Sequence, residues 1–564
     1  MIKNIIQDEL KRVLKELGYD NILPEVLPTT DSKFGDYFSN LILRLKSPDI
    51  KQTQEEIAKI FEANLQKNDE VFATEFAKNG LLNFRVRPGF LQKQLRKIIE
   101  QNQTYGRGES GKGKKARVEF VSANPTGPLH IGNARGGPLG DTIASVLETN
   151  GYEVLREYYN NDIGTQVDIF GDSLIFHIKQ KLSGEVYPSV STISLTKTDT
   201  GVFEDTAAYK GEYLDELAER LKKELKLESP KDLLNKEEVI RNRGVEILFE
   251  EILSDCKAMG ISFDQVFHES KIQEELTQKV IEELKKKGLT KEKDSALWFA
   301  PNDKFLEDRE SVLERSEGRR PTYFADDIAY HKLKFETKPD LVVNIWGSNH
   351  HGHIPRMQAA LQALGEDVNS FKVILYQFVR VKKGNEIVKM SKRAGNFVTA
   401  REVLEQVGKD AFRYFLLMHD PNTHMDFDIE QAKKQSAENP VFYIQYAHAR
   451  LNSVLETAKK SGISLENLVK SNTSLLKTDS EVRLLKQLVR FPELLENISL
   501  NFSVHLLPAY SYELANLFHK YYEKERVITT DKALTQARLA LIMSIKVVLS
   551  NSLKMMGITA PDHM

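Results

Sequence analysis

Two short segments of the chain carry residue types that could act on a nucleoside triphosphate. The first, Pro125-Thr126-Gly127-Pro128-Leu129-His130-Ile131-Gly132-Asn133, places a histidine and small residues between a predicted strand and a predicted helix. The second, Val388-Lys389-Met390-Ser391-Lys392-Arg393, places two lysines after a predicted turn at 383–385. A triphosphate needs backbone that comes close to it and cations that neutralise its developing charge. Each segment is a weak signal alone, but together and in this order they predict a site that opens ATP at its α-phosphate.

The elements around these segments predict an open parallel sheet. A strand at 116–121, the loop with His130, a helix at about 134–149 and a strand at 153–159 form a βαβ unit. Its loop lies at the carboxyl end of the first strand, where such sheets bind ligands. The pattern recurs as a strand at 341–346, a loop at 347–353, a helix at 354–364 and a strand at 373–379.

The periodicity beyond this core predicts a multidomain α/β plus all-α chain. Residues 1–105 mix helical and strand patterns, and nearly everything from about 405 onward is helical. We therefore predict an α+β domain at 1–105, a Rossmann-type catalytic domain at 116–404 with a helical insert at about 170–300, a helical connector at 405–440 and a helical domain at 441–564.

Composition limits the class of protein. A chain of 564 residues is too long for one hydrophobic core. The net charge of -2 argues against an overall basic nucleic-acid-binding protein, so any RNA contact must come from local surfaces. The first residues open a charged amphipathic helix and not a signal peptide. The most apolar stretch, 539–556, contains Lys546 and Lys554 and is predicted to be a buried helix. We expect a cytoplasmic protein with no membrane association.

Four further segments extend the pattern along most of the chain: 34–37, 79–84, 118–128 and 443–450, together with Asp410-Ala411-Phe412-Arg413. With the two signatures, they resemble the class I aminoacyl-tRNA synthetases, and among these the arginyl-tRNA synthetases. The first two are similar to that family's N-terminal tRNA-elbow-binding domain, and the third to its lead into the first signature. The segments at 410–413 and 443–450 are similar to its anticodon-binding domain.

The resemblance implies ATP-dependent ligation of L-arginine to tRNA(Arg) through an arginyl-adenylate, which yields arginyl-tRNA, AMP and diphosphate. Mg²⁺ is expected to travel with the ATP, without a tightly bound metal, and the enzyme is expected to be a monomer. The implied catalytic residues are His130, Gly132, Asn133, Lys389 and Lys392, and the ATP-binding residues are His130, Gly132, Asn133, Met390 and Lys392. Two positions depart from the family: Asn133 stands where histidine is usual, and Arg393 where serine is usual.

Selection of arginine requires carboxylates, because a guanidinium is a planar, permanently charged fork of donors. Glu119 and Asp327 match the family's arginine pocket, with Tyr323 one helical turn before Asp327. The resemblance also assigns Asn124 to the substrate's amino or carboxylate group and His350, or alternatively its neighbour Asn349, to the pocket wall. The histidines near 350 do not predict a metal, since no further ligand is evident in the sequence.

The candidate tRNA contacts are Asn83 for the elbow and Tyr443, Ala447 and Tyr522 for anticodon bases, where aromatic stacking would act. Tyrosines at helical spacing are equally typical of a core. Two other functions are open: another class I adenylating ligase with a different amino acid, and a non-catalytic tRNA-binding paralogue. The length, the helical tail and the acidic pair disfavour the first alternative, and the intact signatures disfavour the second.

Overall fold

A computed structural model describes residues 1–19, 21–29, 31–45, 54–65, 70–77, 79–184, 209, 211–272, 274–301, 311–316, 320–384, 386–387 and 398–564. The whole second signature, 388–393, which includes Lys389, Met390, Lys392 and Arg393, lies outside these residues. The same is true of Asn385 in the predicted turn.

The N-terminal region contains α1 (Ile2–Glu16), β1 (Leu27–Pro28), β2 (Tyr37–Ser39), α2 (Leu41–Arg44), α3 (Gln54–Leu65), β3 (Phe72–Phe76), β4 (Leu82–Val86) and α4 (Pro88–Gln101). Its strands form an antiparallel sheet in the order β1-β2-β4-β3. Helix α1 buries Ile6, Leu10 and Val13, one side chain per turn, so that its polar face remains outside. This is the predicted α+β arrangement.

The central region contains β5 (Lys115–Glu119), α5 (Ile131–Ala134), α6 (Gly136–Thr149), β6 (Glu153–Asn160), α7 (Thr165–Ser183), α8 (Glu212–Glu224), α9 (Glu237–Ala258), β7 (Gln265–His268), α10 (Glu274–Lys286), β8 (Thr290–Lys293), β9 (Ala296–Phe299), β10 (Ser311–Glu314), α11 (Tyr323–Glu336), β11 (Leu341–Gly347), α12 (Ile354–Leu364), β12 (Phe371–Tyr376), β13 (Val379–Lys383), β14 (Glu386–Ile387), α13 (Ala400–Val407), α14 (Lys409–Leu417), β15 (Met425–Asp428) and α15 (Ile429–Lys433). The tail contains α16 (Pro440–Lys460), α17 (Asp479–Val489), α18 (Phe491–Asn501), α19 (Leu506–Lys524) and α20 (Lys532–Met555).

Five parallel strands form the central sheet in the order β12-β11-β5-β6-β7. Because all five run in the same direction, their carboxyl ends meet at one edge, where β5 ends at Glu119, β6 at Asn160 and β11 at Gly347. This confirms the Rossmann-type fold. The edge strand β7 lies within the range that was predicted to be a helical insert, so that prediction is wrong at these residues. Four residues between charged helices give too short a pattern to detect in the sequence.

Two strand boundaries also differ from the prediction. The strand predicted to reach 121 ends at Glu119, because Val121 and Ser122 adopt positive φ angles of 68° and 39° and turn the chain out of the sheet. The strand predicted at 373–379 is two strands, β12 and β13. Gln377 separates them: its N–H donates to Pro421 O at 2.9 Å, and its carbonyl accepts from Arg135 Nη1 at 2.9 Å.

The predicted buried helix of the tail is α20. Among the described residues it is the one helix long and apolar enough to cross a membrane by length and composition, but 67% of its most apolar window is buried within the protein. Arg413 on α14, which is fully buried, joins this tail to helices α6 and α9 of the central region. Its guanidinium donates to Met556 O, to Met259 O and to Asp141 Oδ2.

Candidate active site

The first signature forms a short helix start at the carboxyl edge of the sheet. His130 precedes α5, and its Nδ1 accepts a hydrogen bond from the backbone N–H of Asn133 at 3.1 Å. Gly132 packs directly against this imidazole: a methyl group on its Cα would lie 3.0 Å from both Cε1 and Nδ1 of His130. The lack of a side chain at Gly132 therefore lets the imidazole lie against the backbone here.

The described residues on both sides of the second signature are held near the first. On one side, β14 pairs with β13 as an antiparallel hairpin. On the other, Ile131 N donates to Val398 O at 3.2 Å, and Ala400 N donates to Leu129 O at 2.7 Å. Thr399 then caps α13 by accepting from Glu402 N. The residues that follow the second signature thus pack beside the loop that contains His130.

Replacing Gly132 with alanine is expected to displace His130 and to lower the rate of amino-acid activation by roughly 10–100-fold, since small misplacements of a reacting group are costly. The matched control is Gly89→Ala, where a methyl group would meet no atom within 4 Å. Pyrophosphate exchange and thermal unfolding of both variants test this. An active Gly132→Ala enzyme with the wild-type rate would contradict the positioning role.

Glu119 ends β5 in a buried polar cluster. Its carboxylate forms an ion pair with Lys334 of α11 and accepts hydrogen bonds from Ser122 Oγ at 3.1 Å and Tyr330 Oη at 3.3 Å. Lys334 is 1% exposed and also donates to Asn344 Oδ1 on β11 at 3.1 Å. A buried carboxylate with such partners is held in one orientation at the sheet edge.

Asp327, on the first turns of α11, is the second buried carboxylate. His331 Nδ1 lies 3.0 Å from its Oδ1, and His353 Nε2 contacts its Oδ2. Burial alone raises the pKa of Asp327, but the two histidines outweigh it and hold the pKa well below the ordinary value. The group is therefore a carboxylate anion at neutral pH, as recognition of a guanidinium requires.

Two tyrosines lie close enough to these carboxylates to feel their charge. Burial first, and then the charges of Asp327, Glu269 and Glu119, raises the pKa of Tyr323. The same three carboxylates, together with burial, raise the pKa of Tyr159 at the end of β6. The ring of Tyr323 also lies 6.4 Å from that of His353, which contacts Asp327. Glu119, Tyr323 and Asp327, predicted from the sequence, are therefore neighbours.

The other two residues predicted for the arginine pocket are His350 and Asn124. Desolvation and the neighbouring His353 lower the pKa of His350, whereas Asp327 and Glu119 act in the opposite direction. Its exposed ring lies 5.9 Å from that of Trp346. Asn124 lies on the loop after β5 and donates to Gln166 Oε1 at 2.6 Å. Both assignments to arginine binding stay predictions.

Sequence reasoning missed four residues that hold the pocket together: Tyr330, His331, Lys334 and His353. Asp327 and His331 are one helical turn apart, so their spacing in the sequence could have indicated that they are in contact. The other contacts join α11 to β5 or to the turn before α12 and have no local signature. Among the described residues, no group of three or more His, Cys, Asp or Glu side chains is placed to hold a metal ion.

The tail presents an aromatic surface on α16 and α19. Tyr443 packs against His519 and Tyr512, with ring centroids 4.6 and 5.3 Å apart. Arg450 lies over the rings of Tyr446 and Tyr522, at 4.6 and 5.3 Å from their centroids. Tyr446, Tyr512 and Tyr522 are each 38–40% exposed, so these side chains reach the surface of the tail.

The remaining two candidates for tRNA contact are buried. Ala447 is fully buried on the inner face of α16, and Asn83 on β4 is 7% exposed. Because Ala447 is fully buried, it cannot contact an RNA base in this structure. Its side chain packs inside the protein instead. The prediction for Ala447 came from the family resemblance alone, which does not show whether a side chain is exposed.

Three family profiles together account for nearly the whole chain. The arginyl tRNA synthetase N-terminal domain matches residues 1–86, the tRNA synthetases class I (R) catalytic domain matches residues 94–455, and the DALR anticodon binding domain matches residues 444–564. The chain belongs to the class I arginyl-tRNA synthetase family.

Curated relatives agree with this membership. An arginine–tRNA ligase of Caldanaerobacter subterraneus is 39% identical and covers 100% of this chain and 98% of its own length. One of Desulforamulus reducens is 38% identical over 96% of this chain and 94% of its own length. The arginyl-tRNA synthetase of Thermus thermophilus, which is 23% identical, has the same fold with a TM-score of 0.76 over the full length of both chains.

Proposed function

We propose that this chain ligates L-arginine to tRNA(Arg) with ATP, through an arginyl-adenylate. The observation that carries the substrate assignment is the pair of buried carboxylates, Glu119 and Asp327, at the sheet edge that also bears His130. Two anions in a buried cleft match a planar cation with several donors. Membership in the family supports the reaction type.

In the first step, a carboxylate oxygen of arginine attacks the α-phosphorus, and the bond to pyrophosphate breaks. Positioning and charge stabilisation supply most of the acceleration in such transfers. We assign His130, Gly132 and Asn133 to the nucleotide's phosphates and ribose. Lys389, Met390 and Lys392 complete the ATP site in this proposal, and the two lysines neutralise the leaving pyrophosphate.

In the second step, a ribose hydroxyl at the tRNA end attacks the carbonyl carbon of the adenylate, and AMP leaves. Mg²⁺ accompanies ATP in this proposal, bound through the phosphates, as is usual for a cation that keeps most of its water. Residues 1–105 are assigned to the tRNA elbow, residues 116–404 to catalysis and residues 441–564 to the anticodon. The monomeric state and cytoplasmic location stay predictions.

The direct test is product stoichiometry with purified protein. Arginine, ATP and tRNA(Arg) together should yield one arginyl-tRNA, one AMP and one pyrophosphate per turnover, and omission of arginine should abolish all three. A protein that binds the tRNA but forms none of these products would be a non-catalytic paralogue.

The aromatic surface gives a second prediction. The double variant Tyr443→Ala with Tyr522→Ala is expected to bind tRNA(Arg) at least about 10-fold more weakly, because each lost stacking contact costs ~1–3 kcal/mol. The control pair Tyr443→Phe with Tyr522→Phe keeps both rings and should bind nearly as well as wild type. Binding is measured by filter retention after thermal unfolding confirms that both proteins are folded. If the alanine pair binds normally, these tyrosines are core residues and the anticodon assignment fails.

A further inference from the structure

Asn344 is a buried amide in the middle of the central sheet. It lies on β11, pairs in register with Glu119 on β5 and is 0% exposed. Paired residues of neighbouring strands point to the same face of a sheet, so its side chain lies beside that of Glu119. The neighbouring residues of the strand, Val342, Val343 and Ile345, are buried and apolar. A polar group in such a strand is retained where its hydrogen bonds are satisfied.

The amide of Asn344 contacts the two residues of α11 that hold the pocket carboxylates. Its Oδ1 accepts from Lys334 Nζ at 3.1 Å, and its Nδ2 lies 2.8 Å from Nε2 of His331. Lys334 forms the ion pair with Glu119, and His331 contacts Asp327. A continuous chain of buried polar contacts therefore runs from Glu119 to Asp327, with Asn344 at its centre.

The donors and acceptors of this chain fix where the protons lie. An ammonium group has three donors and no acceptor, so the amide oxygen must face Lys334. The amide NH₂ then faces Nε2 of His331 and needs an acceptor there, so Nε2 carries no proton. The other ring nitrogen, Nδ1, lies 2.8 Å from the backbone oxygen of Asp327 and 3.0 Å from its Oδ1, which are both acceptors. Nδ1 therefore carries the proton, and the ring is neutral.

The state of His331 decides how much negative charge the pocket can offer. Lys334 already offsets the charge of Glu119. A doubly protonated His331 would offset Asp327 in the same way, and these four groups together would carry no net charge. A neutral His331 still orients Asp327 through its N–H, but it leaves the carboxylate a full negative charge to attract a guanidinium.

We propose that Asn344 is a positioning residue for arginine recognition, which holds His331 neutral with its proton on Nδ1, so that Asp327 keeps its charge for the substrate. The inference rests on the proposed function and deepens it. Asn344 does not touch the substrate in this proposal. It acts on Asp327 through His331, and it acts on Glu119 through Lys334.

His331 is enclosed by other side chains. It is 1% exposed, and the rings of Trp346 and Phe371 lie 6.0 and 5.4 Å from its own. The titratable and charged groups around it are Asp327, Tyr330 and Lys334 on its own helix, Glu119 on β5 and His353 before α12. Each of these groups is unchanged in the variants below, so a difference from wild type reports on His331.

The direct test reads the protons of His331 from the nitrogen-15 NMR resonances of protein labelled at its histidines, without substrate. Loss of these resonances in His331→Asn assigns them. Between about pH 6 and pH 8, a range that includes the ordinary titration of histidine, wild type should show a protonated Nδ1 and an unprotonated Nε2 throughout. A proton on Nε2, alone or together with one on Nδ1, would overturn the proposal.

The functional test is Asn344→Leu, which keeps the approximate size of the side chain and removes both hydrogen bonds. Without the amide N–H, no donor opposes a second proton on Nε2, and the charge of Asp327 favours that proton. The arginine KM, as a ratio to that of wild type, should therefore rise roughly 10-fold as the pH falls from about 8 to about 6, since a charged His331 competes with the substrate for Asp327. The kcat and the KM for ATP should change little.

Two controls separate this role from a structural one. Adding His331→Asn to Asn344→Leu gives Asp327 a permanently neutral donor and should abolish the pH dependence of the ratio. Asn551→Leu removes a buried amide of the tail that donates to Asn102 O and Tyr105 O, and it should leave the arginine KM unchanged.

A ratio for Asn344→Leu that does not vary with pH would overturn the proposal, as would a pH dependence that persists in the double variant. If Asn344→Leu fails to fold in a thermal unfolding assay, the wild-type resonances decide. If wild type charges no arginine, the proposed function fails, whereas a charged His331 in an enzyme that charges arginine overturns this inference alone.

Discussion

Asp327→Asn is expected to raise the KM for arginine by about two to three orders of magnitude while the KM for ATP changes little. The carboxylate is buried, and its pKa is held low by His331 and His353, so wild type presents a full negative charge to the substrate. Asparagine keeps the shape and leaves a bound guanidinium without that anion. Breaking a buried ion pair in this way costs ~3–5 kcal/mol, and each ~1.4 kcal/mol is tenfold.

The experiment compares steady-state aminoacylation by Asp327→Asn with that by the neighbouring variant Asp326→Asn. Asp326 has the same side chain one residue earlier, but its oxygen accepts from Thr277 on α10. Its loss should produce no increase of comparable size. Equal changes in the KM values for arginine and ATP, or no change in either, would contradict the assignment of Asp327 to arginine binding.

Lys392→Ala is expected to lower the rate of arginine activation by roughly 100-fold and to leave the affinity for tRNA nearly intact. The lysine is assigned to the pyrophosphate that leaves, so its charge acts mainly in the transition state. Removal of one such stabilising group typically costs ~10²–10³ in rate.

The measurement is single-turnover adenylate formation together with tRNA binding by filter retention. Lys383→Ala, at the hairpin that leads into the second signature, removes an exposed lysine of the same region and serves as the control. Activation at the wild-type rate in Lys392→Ala would contradict the catalytic assignment. A large loss of tRNA affinity would instead assign this lysine to RNA binding.

Much of the fold followed from local patterns. The strand and helix at 341–346 and 354–364 were predicted almost to the residue, because a buried parallel strand and a glycine-ended helix both leave clear signals in sequence. Family resemblance also indicated Glu119, Tyr323 and Asp327, which the structure brings around one cleft. The short strand β7 gave no such signal, and neither did the break at Gln377, which depends on contacts with distant residues.

The parts of the site that sequence did not reveal depend on crossovers between strands. Tyr330 and Glu119 are far apart in sequence and become neighbours only because α11 packs at the carboxyl end of β5. Lys334 reaches Glu119 because α11 crosses the sheet edge, and His353 reaches Asp327 from the turn before α12. None of these pairings has a fixed spacing along the chain, so no periodicity or motif could predict it.

The most direct measurement is aminoacylation of bulk tRNA with each of the twenty amino acids in turn, in the presence of ATP. We expect arginine alone to be charged efficiently. Lysine should fail because its compact ammonium lacks the planar fork of donors that the pocket carboxylates require. Efficient charging with another amino acid, or with none, would contradict the assignment of this pocket to arginine.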